Sequence, residues 1–310
     1  MSGKDVLKTC AGILIALLAL AALATLQGPP QSSPKNEKIE QPAAAPPAAT
    51  PPRTLHVFIL LESGEFEIVP TSLGTSIRVD ADYDQALQRL EHEFVPDPAG
   101  GDRFTLRCES RSTWGQLRRA AGDIRRQAAD ETGREERLPR RARVRVELPV
   151  GVPMDLELEV GKGNTRIDLS GLSLERLILD HAMGNTELAF TQPNPIEMER
   201  MIIHGKMGEL SLTGLAHAHA RALEFQGQMG DFRLDFTGEW GPRLEGSVQV
   251  TMGSAIVELP RDVLLEHRKG HVVFGKLETS HRSSSRDPET RLERTIALDT
   301  LVRFGNMQIR

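Results

Sequence analysis

Six glycines, Gly163, Gly184, Gly208, Gly230, Gly253 and Gly275, stand at intervals of 21, 24, 22, 23 and 22 residues. Four of them follow a methionine: Met183, Met207, Met229 and Met252. Self-similarity at a near-constant period of this size marks a chain that stacks one coil on the last. Aligned on the glycine, the fifth residue before it is Leu158, Leu179, Ile203, Phe225 or Val248, and the fourth after it is Ile167, Leu188, Leu212, Leu234 or Val257. Apolar residues also recur two positions further out on each side in most coils. A period of two on both sides of a glycine reads as strand, glycine turn, strand. Glycine suits the bend because it takes positive φ without a Cβ clash.

Further punctuation supports the coil. Gly171, Gly214 and Gly238 close the second strand, and Pro153, Pro193, Pro195, Pro242 and Pro260 fall between coils, where a missing N–H does least harm. A leucine-rich repeat would need an asparagine or cysteine ladder at the bend, but Ala182, Lys206 and Gln228 stand there. An antiparallel sandwich would explain alternation but not equivalent glycines at a constant interval. The pattern extends to Gly64 and to Gly305, with the polar stretch 280–293 read as a surface loop that lengthens the last interval. The expected fold is therefore all-β, a single-stranded-type β-solenoid.

The hydrophobic share is 39% and the aromatic share 4%, which suits a narrow core filled by Leu, Val, Ile and Met. A net charge of −5 gives no support for a nucleic-acid partner. Lys4 and Lys8 precede an uncharged apolar run from Cys10 to Leu26. That run reads as a membrane anchor that leaves the bulk of the chain outside the cytoplasm. The alternative is a signal peptide cleaved near Ala24, after which the chain is secreted. Residues 27–53 are rich in Pro, Ala, Ser and Gln and read as a disordered tether, of more use to an anchored protein than to a secreted one. The expected organisation is 1–26 anchor or signal, 27–53 linker, 54–109 N-terminal β region, 110–145 arginine-rich insertion and 146–310 solenoid repeats.

Cys10 and Cys108 are the only cysteines and are placed too differently to pair. Cys108 reads as a small core residue. Residues 118–145 of the insertion carry ten arginines, and it reads as a solvated charged face, with a patch for anionic lipid or glycan as the sharper alternative.

No phosphate loop, Cys-x-x-Cys, His-Glu-x-x-His or Gly-x-Ser-x-Gly occurs. Four residues before the glycines stand Glu159, Asp180, His204, Gln226 and Gln249. Stacking roughly 4.8 Å apart would bring Glu159, Asp180 and His204 within reach of a divalent metal or a shared proton. Ordinary outward polarity also accounts for them, and neither a cofactor nor a catalytic residue is expected. His217 and His219 lack a third ligand and read as a surface loop, and His181 as a tolerated inward or edge residue. The methionine column could hold copper, but Lys162, Phe274 and Phe304 share it, so it reads as space-filling at the core edge.

The block Val-Pro-Met-Asp-Leu-Glu-Leu-Glu-Val-Gly-Lys-Gly at 152–163 carries a resemblance. So do the run Ile167 to Leu177, the Met-Gly turns and Phe-Thr-Gly-Glu-Trp at 236–240. They resemble the toast-rack family of bacterial envelope proteins, adhesin-like solenoid domains, and the solenoid part of cell-wall-active-antibiotic response proteins. The similarity covers roughly 145–265. It implies a β-solenoid outside the cytoplasm, often behind a membrane segment, and brings no catalytic residues. The expected function is a non-enzymatic, membrane-tethered surface, adhesin-like or a stress-response adaptor, facing an envelope protein or cell-wall glycan. The alternatives are a self-assembling scaffold that joins copies through open terminal edges, and a carbohydrate-active β-helix enzyme using Glu159, Asp180 and His204.

Overall fold

The computed structural model describes residues 34–42, 53–71, 74–97, 101–111, 141–239, 241, 243–281 and 294–310. The apolar run 10–26, much of the expected linker, residues 112–140 and residues 282–293 lie outside the described residues. Within them the chain is all-β, with one 3-10 turn at Leu215–Ala218. The strands are β1 Pro34–Pro42, β2 Leu55–Thr71, β3 Ser76–Asp84, β4 Gln88–Val95, β5 Arg103–Ser110, β6 Ala142–Pro149, β7 Met154–Asp168, β8 Leu174–Ala189, β9 Met198–Thr213, β10 Ala220–Asp235, β11 Arg243–Glu258, β12 Leu264–Thr279 and β13 Thr295–Ile309. One long mixed sheet runs β1-β3-β6-β2-β7-β8-β9-β10-β11-β13-β12, with β4 and β5 branching beside it.

Each expected strand–turn–strand unit is one long strand bent at its glycine. Both halves of the bent strand pair in parallel with the same neighbour. Gly64, Gly163, Gly184, Gly208, Gly230, Gly253, Gly305 and Gly275 therefore stack as one column. Only glycine fits there. A Cβ on Gly184 would lie 2.2 Å from the carbonyl oxygen of Gly163, and one on Gly208 would lie 2.2 Å from that of Gly184. On either side of the column the inward rows are dry. Leu158, Leu179, Ile203, Phe225 and Val248 are fully buried, as are Ile167, Leu188, Leu212, Leu234 and Val257. Each is worth about 1.5–3 kcal/mol of transfer free energy, in keeping with a fold held by its rows rather than by cross-links. The two halves of a coil face each other across this core, as the edge-on contact of Phe225 with Phe232 at 5.4 Å shows.

At the N-terminal end a coil is split. β5 pairs with the first half of β2 and β6 with the second half. The chain leaves at Arg111 and returns at Arg141, where other coils have their glycine. The bounds 110–145 expected for the insertion overlap both strands. Ser110 closes β5, and residues 142–145 open β6, because Ala142 and Val144 alternate inward with Arg143 and Arg145 outward. The next layer runs antiparallel, with β3 on β6, β4 on β5 and β1 on β3. Residues 34–42 of the expected disordered linker are thus a strand. Ile39 is its one buried side chain in the core, but the edge of β3 satisfies its backbone, and Glu37 accepts a hydrogen bond from the Tyr83 hydroxyl at 3.0 Å.

At the other end the chain order breaks. β13 slots between β11 and β12, so Gly305 rests on Gly253 and Gly275 lies outermost. Consecutive coiling past Gly275 does not hold. The inward positions explain it. β13 offers Ile296, Leu298, Val302, Met307 and Ile309, whereas β12 has Leu265, His267, Val272, Leu277 and Thr279 at the matching places. The more apolar strand takes the site covered on both edges.

Candidate functional site

The column expected to reach outward does so in register: Glu159, Asp180, His204, Gln226 and Gln249 are successive partners. His204 Nδ1 lies 2.8 Å from Asp180 Oδ1, with both side chains about one-third exposed. The structure therefore joins two of the three candidates as a hydrogen-bonded pair. No group of three or more His, Cys, Asp or Glu side chains able to hold a metal ion forms among the described residues. A carboxylate beside an imidazole fixes the orientation of the ring.

The remaining histidines have structural settings. His217 lies in the 3-10 turn, and its Nδ1 accepts the Glu239 amide hydrogen at 3.1 Å. His219 caps that turn at φ 51°. His181 is fully buried, and burial pushes its pKa below the usual imidazole range against a smaller opposing pull from the Gly184 and Met183 backbone, with which neither ring nitrogen forms a hydrogen bond of ordinary geometry. Cys108 is buried, as its sequence setting predicts. Asn194 sits between Pro193 and Pro195, where no periodicity marks it. It is 1% exposed, accepts the Leu174 amide at 3.1 Å, and donates to the carbonyls of Leu174 at 2.8 Å and Ala218 at 3.2 Å. It ties three consecutive turns together at the corner away from the glycines.

The methionine column departs from expectation. Met183, Met207, Met229 and Met252 are 38–44% exposed, and Phe304 and Phe274 continue the row at 54% and 64%. Residues three before the glycine and two after it already fill the inside of the bend, so the residue beside the glycine stands at the outer tip.

On both sides of the bend the outer face carries charge pairs between coils. Arg143 donates to Glu65 at 3.0 Å, Arg176 to Asp155 at 2.9 Å and Arg233 to Glu258 at 2.6 Å, and Arg221 pairs with Glu197. For Glu258, burial pushes the carboxyl up, but hydrogen bonds from Arg310 and Arg233 outweigh it and hold the pKa low. Towards the N-terminal end a polar groove of about 700 Å³ crosses the face that follows the bend, lined by Glu65, Glu67, Asp80, Asp82, Arg143, Arg145, Arg166, Asn164, Asn185 and Glu187 among others. Periodicity alone does not reveal it, because its walls come from β3, β6, β2, β7 and β8.

These features define an all-β rack of stacked bent strands with a paired, polar outer surface. Residues 119–212 match the family model for the N-terminal domain of toast_rack, DUF2154. No curated protein matches the sequence. Solved structures with some likeness include a candidate cell adhesion protein from Clostridium sporogenes, 11% identical over 89% of this chain and 99% of that one, TM-score 0.40. A candidate lipid-binding protein from Parabacteroides distasonis is 11% identical over 90% and 98%, TM-score 0.38. A candidate adhesin from Bacteroides fragilis is 10% identical over 89% and 97%, TM-score 0.31. Likenesses this distant say nothing of what this chain binds.

Proposed function

We propose that the protein is a non-enzymatic scaffold, tethered to the bacterial cell membrane through residues 10–26, that presents its polar outer face to an envelope protein or cell-wall glycan. The groove at Asn164 and Asn185 carries this reading. Its arginines and carboxylates are largely paired with each other, so it offers fixed hydrogen-bonding groups rather than a reactive charge. Asn164 and Asn185 are exposed and occupy equivalent positions on adjacent coils. Such a row suits a partner that is itself periodic and polar.

The test is retention of separated envelope fractions on the full chain held in detergent. Peptidoglycan or one membrane protein should be retained by the native chain and lost from the Asn164→Ala, Asn185→Ala double variant, with unchanged thermal unfolding. Equal retention by both chains would remove the groove from the reading.

A further inference from the structure

We infer that the exposed methionine–phenylalanine ridge lies on the lipid surface of the membrane in which residues 10–26 are anchored; this rests on the tethered reading above. The ridge runs Met183, Met207, Met229, Met252, Phe304, Phe274, one residue per strand across six neighbouring strands. Its five strand spacings make it roughly 24 Å long. The two phenylalanine rings stack at 5.3 Å. A continuous apolar line of this length at the tip of a soluble-faced rack marks a contact surface.

The register says what covers it. Asn36 stands level with Asp82, Arg143, Glu65, Asn164 and Asn185, which follow the glycine column by one residue. Pro34, two residues earlier on β1, therefore stands level with the methionines. The described fold thus begins on the ridge's own edge, five strand spacings or about 24 Å from Met183. Only residues 27–33 separate Pro34 from the apolar run that ends at Leu26. Seven residues span at most about 24 Å. An anchored chain must therefore hold the Pro34 end of this edge, rather than the opposite loop corner, within about 24 Å of the bilayer. Between Pro34 and the ridge the same row carries the exposed cation Lys162. The ridge itself is flanked by both signs, with Lys206 and Arg303 before it and Glu209 and Asp231 after it. Burial of methionine and phenylalanine, rather than attraction to anionic headgroups, supplies the contact. Such a face enters the headgroup boundary by about 5–10 Å.

The test places an environment-sensitive fluorophore at Met207→Cys, Met229→Cys or Glu199→Cys in a full chain carrying Cys10→Ser. Glu199 lies at the far end of β9 from Met207, and Cys108 is buried. The chains are reconstituted in phosphatidylethanolamine–phosphatidylglycerol vesicles with or without nitroxide-bearing lipid. The inference requires blue-shifted emission at 207 and 229 that the nitroxide lipid quenches, with neither effect at 199. Chains that float with the vesicles but are unquenched at 207 and 229 overturn the ridge contact and leave the tether intact. A blue shift without quenching means a second copy covers the ridge, and overturns it as well. Chains that fail to float remove both the tether and the ridge contact.

Discussion

His181 shows how one residue can oppose the fold that holds it. In its row the neighbouring coils place Val160 and Gly205, and Gly227 and Val250 follow. Its imidazole is sealed among them with two unpartnered nitrogens, so the folded state favours the neutral ring. Above pH 6.5, the ordinary histidine value, the ring is neutral in both states and adds no pH dependence. As pH falls below that value the unfolded chain takes up a proton that the folded ring resists. Stability then drops by up to about 1.4 kcal/mol per pH unit until the folded pKa is reached. His181→Val removes the orphaned nitrogens, and at neutral pH the variant is expected to be more stable by about 1 kcal/mol. The gap in unfolding temperature between variant and native chain should widen from about pH 7 to pH 5. A constant gap would show that the ring is not the titrating group. The sequence marked His181 as inward or at an edge, but not that it would be dry. That depends on the neighbouring coils, which pair Val160 and Gly205 with it.

At the scale of the strand, the glycine column sets the coil. Gly208 combines φ 108° with an approach to the Gly184 carbonyl that leaves no space for a methyl group. Gly151 has φ 76° but open space around its Cβ position. Gly151→Ala should therefore cost only backbone strain, about 1 kcal/mol. Gly208→Ala must also push neighbouring strands apart, and should cost at least about 3 kcal/mol in denaturant unfolding. Equal costs would mean that the column relaxes freely. The pattern was legible because a bend needing glycine recurs in every coil. The strand β1 was not legible, since its pairing draws on backbone groups and leaves almost no apolar signature. The fate of β13 was hidden for a different reason. Interval counting assumes each coil follows its predecessor, whereas the core selects the more apolar strand for the enclosed place.

For the molecule as a whole, the two ends decide whether racks join. β12 is the outermost strand, and its open edge would invite another chain. It carries a register shift between His267 and Lys269, with Arg268 and Lys276 nearby. Bulges and basic side chains are the usual guards against edge pairing. The antiparallel layer of β1, β3 and β4 makes the other end unlike it. The full chain in detergent is therefore expected to sediment as a monomer at every concentration. A His267→Leu, Lys269→Val, Lys276→Val variant should associate as concentration rises. Association of the native chain would favour the self-assembling alternative instead.

The sequence by itself determined that the chain stacks bent strands, where each bend lies and which rows face inward. Those properties follow from local rules, a period of two and a residue without a Cβ, that repeat in every coil. Only the tertiary structure decided the order of the last two strands, the split coil around 112–140, the groove walled by five strands and the outward turn of the methionines. Each of these depends on how much space neighbouring coils leave once packed, and packing is settled between coils rather than within them.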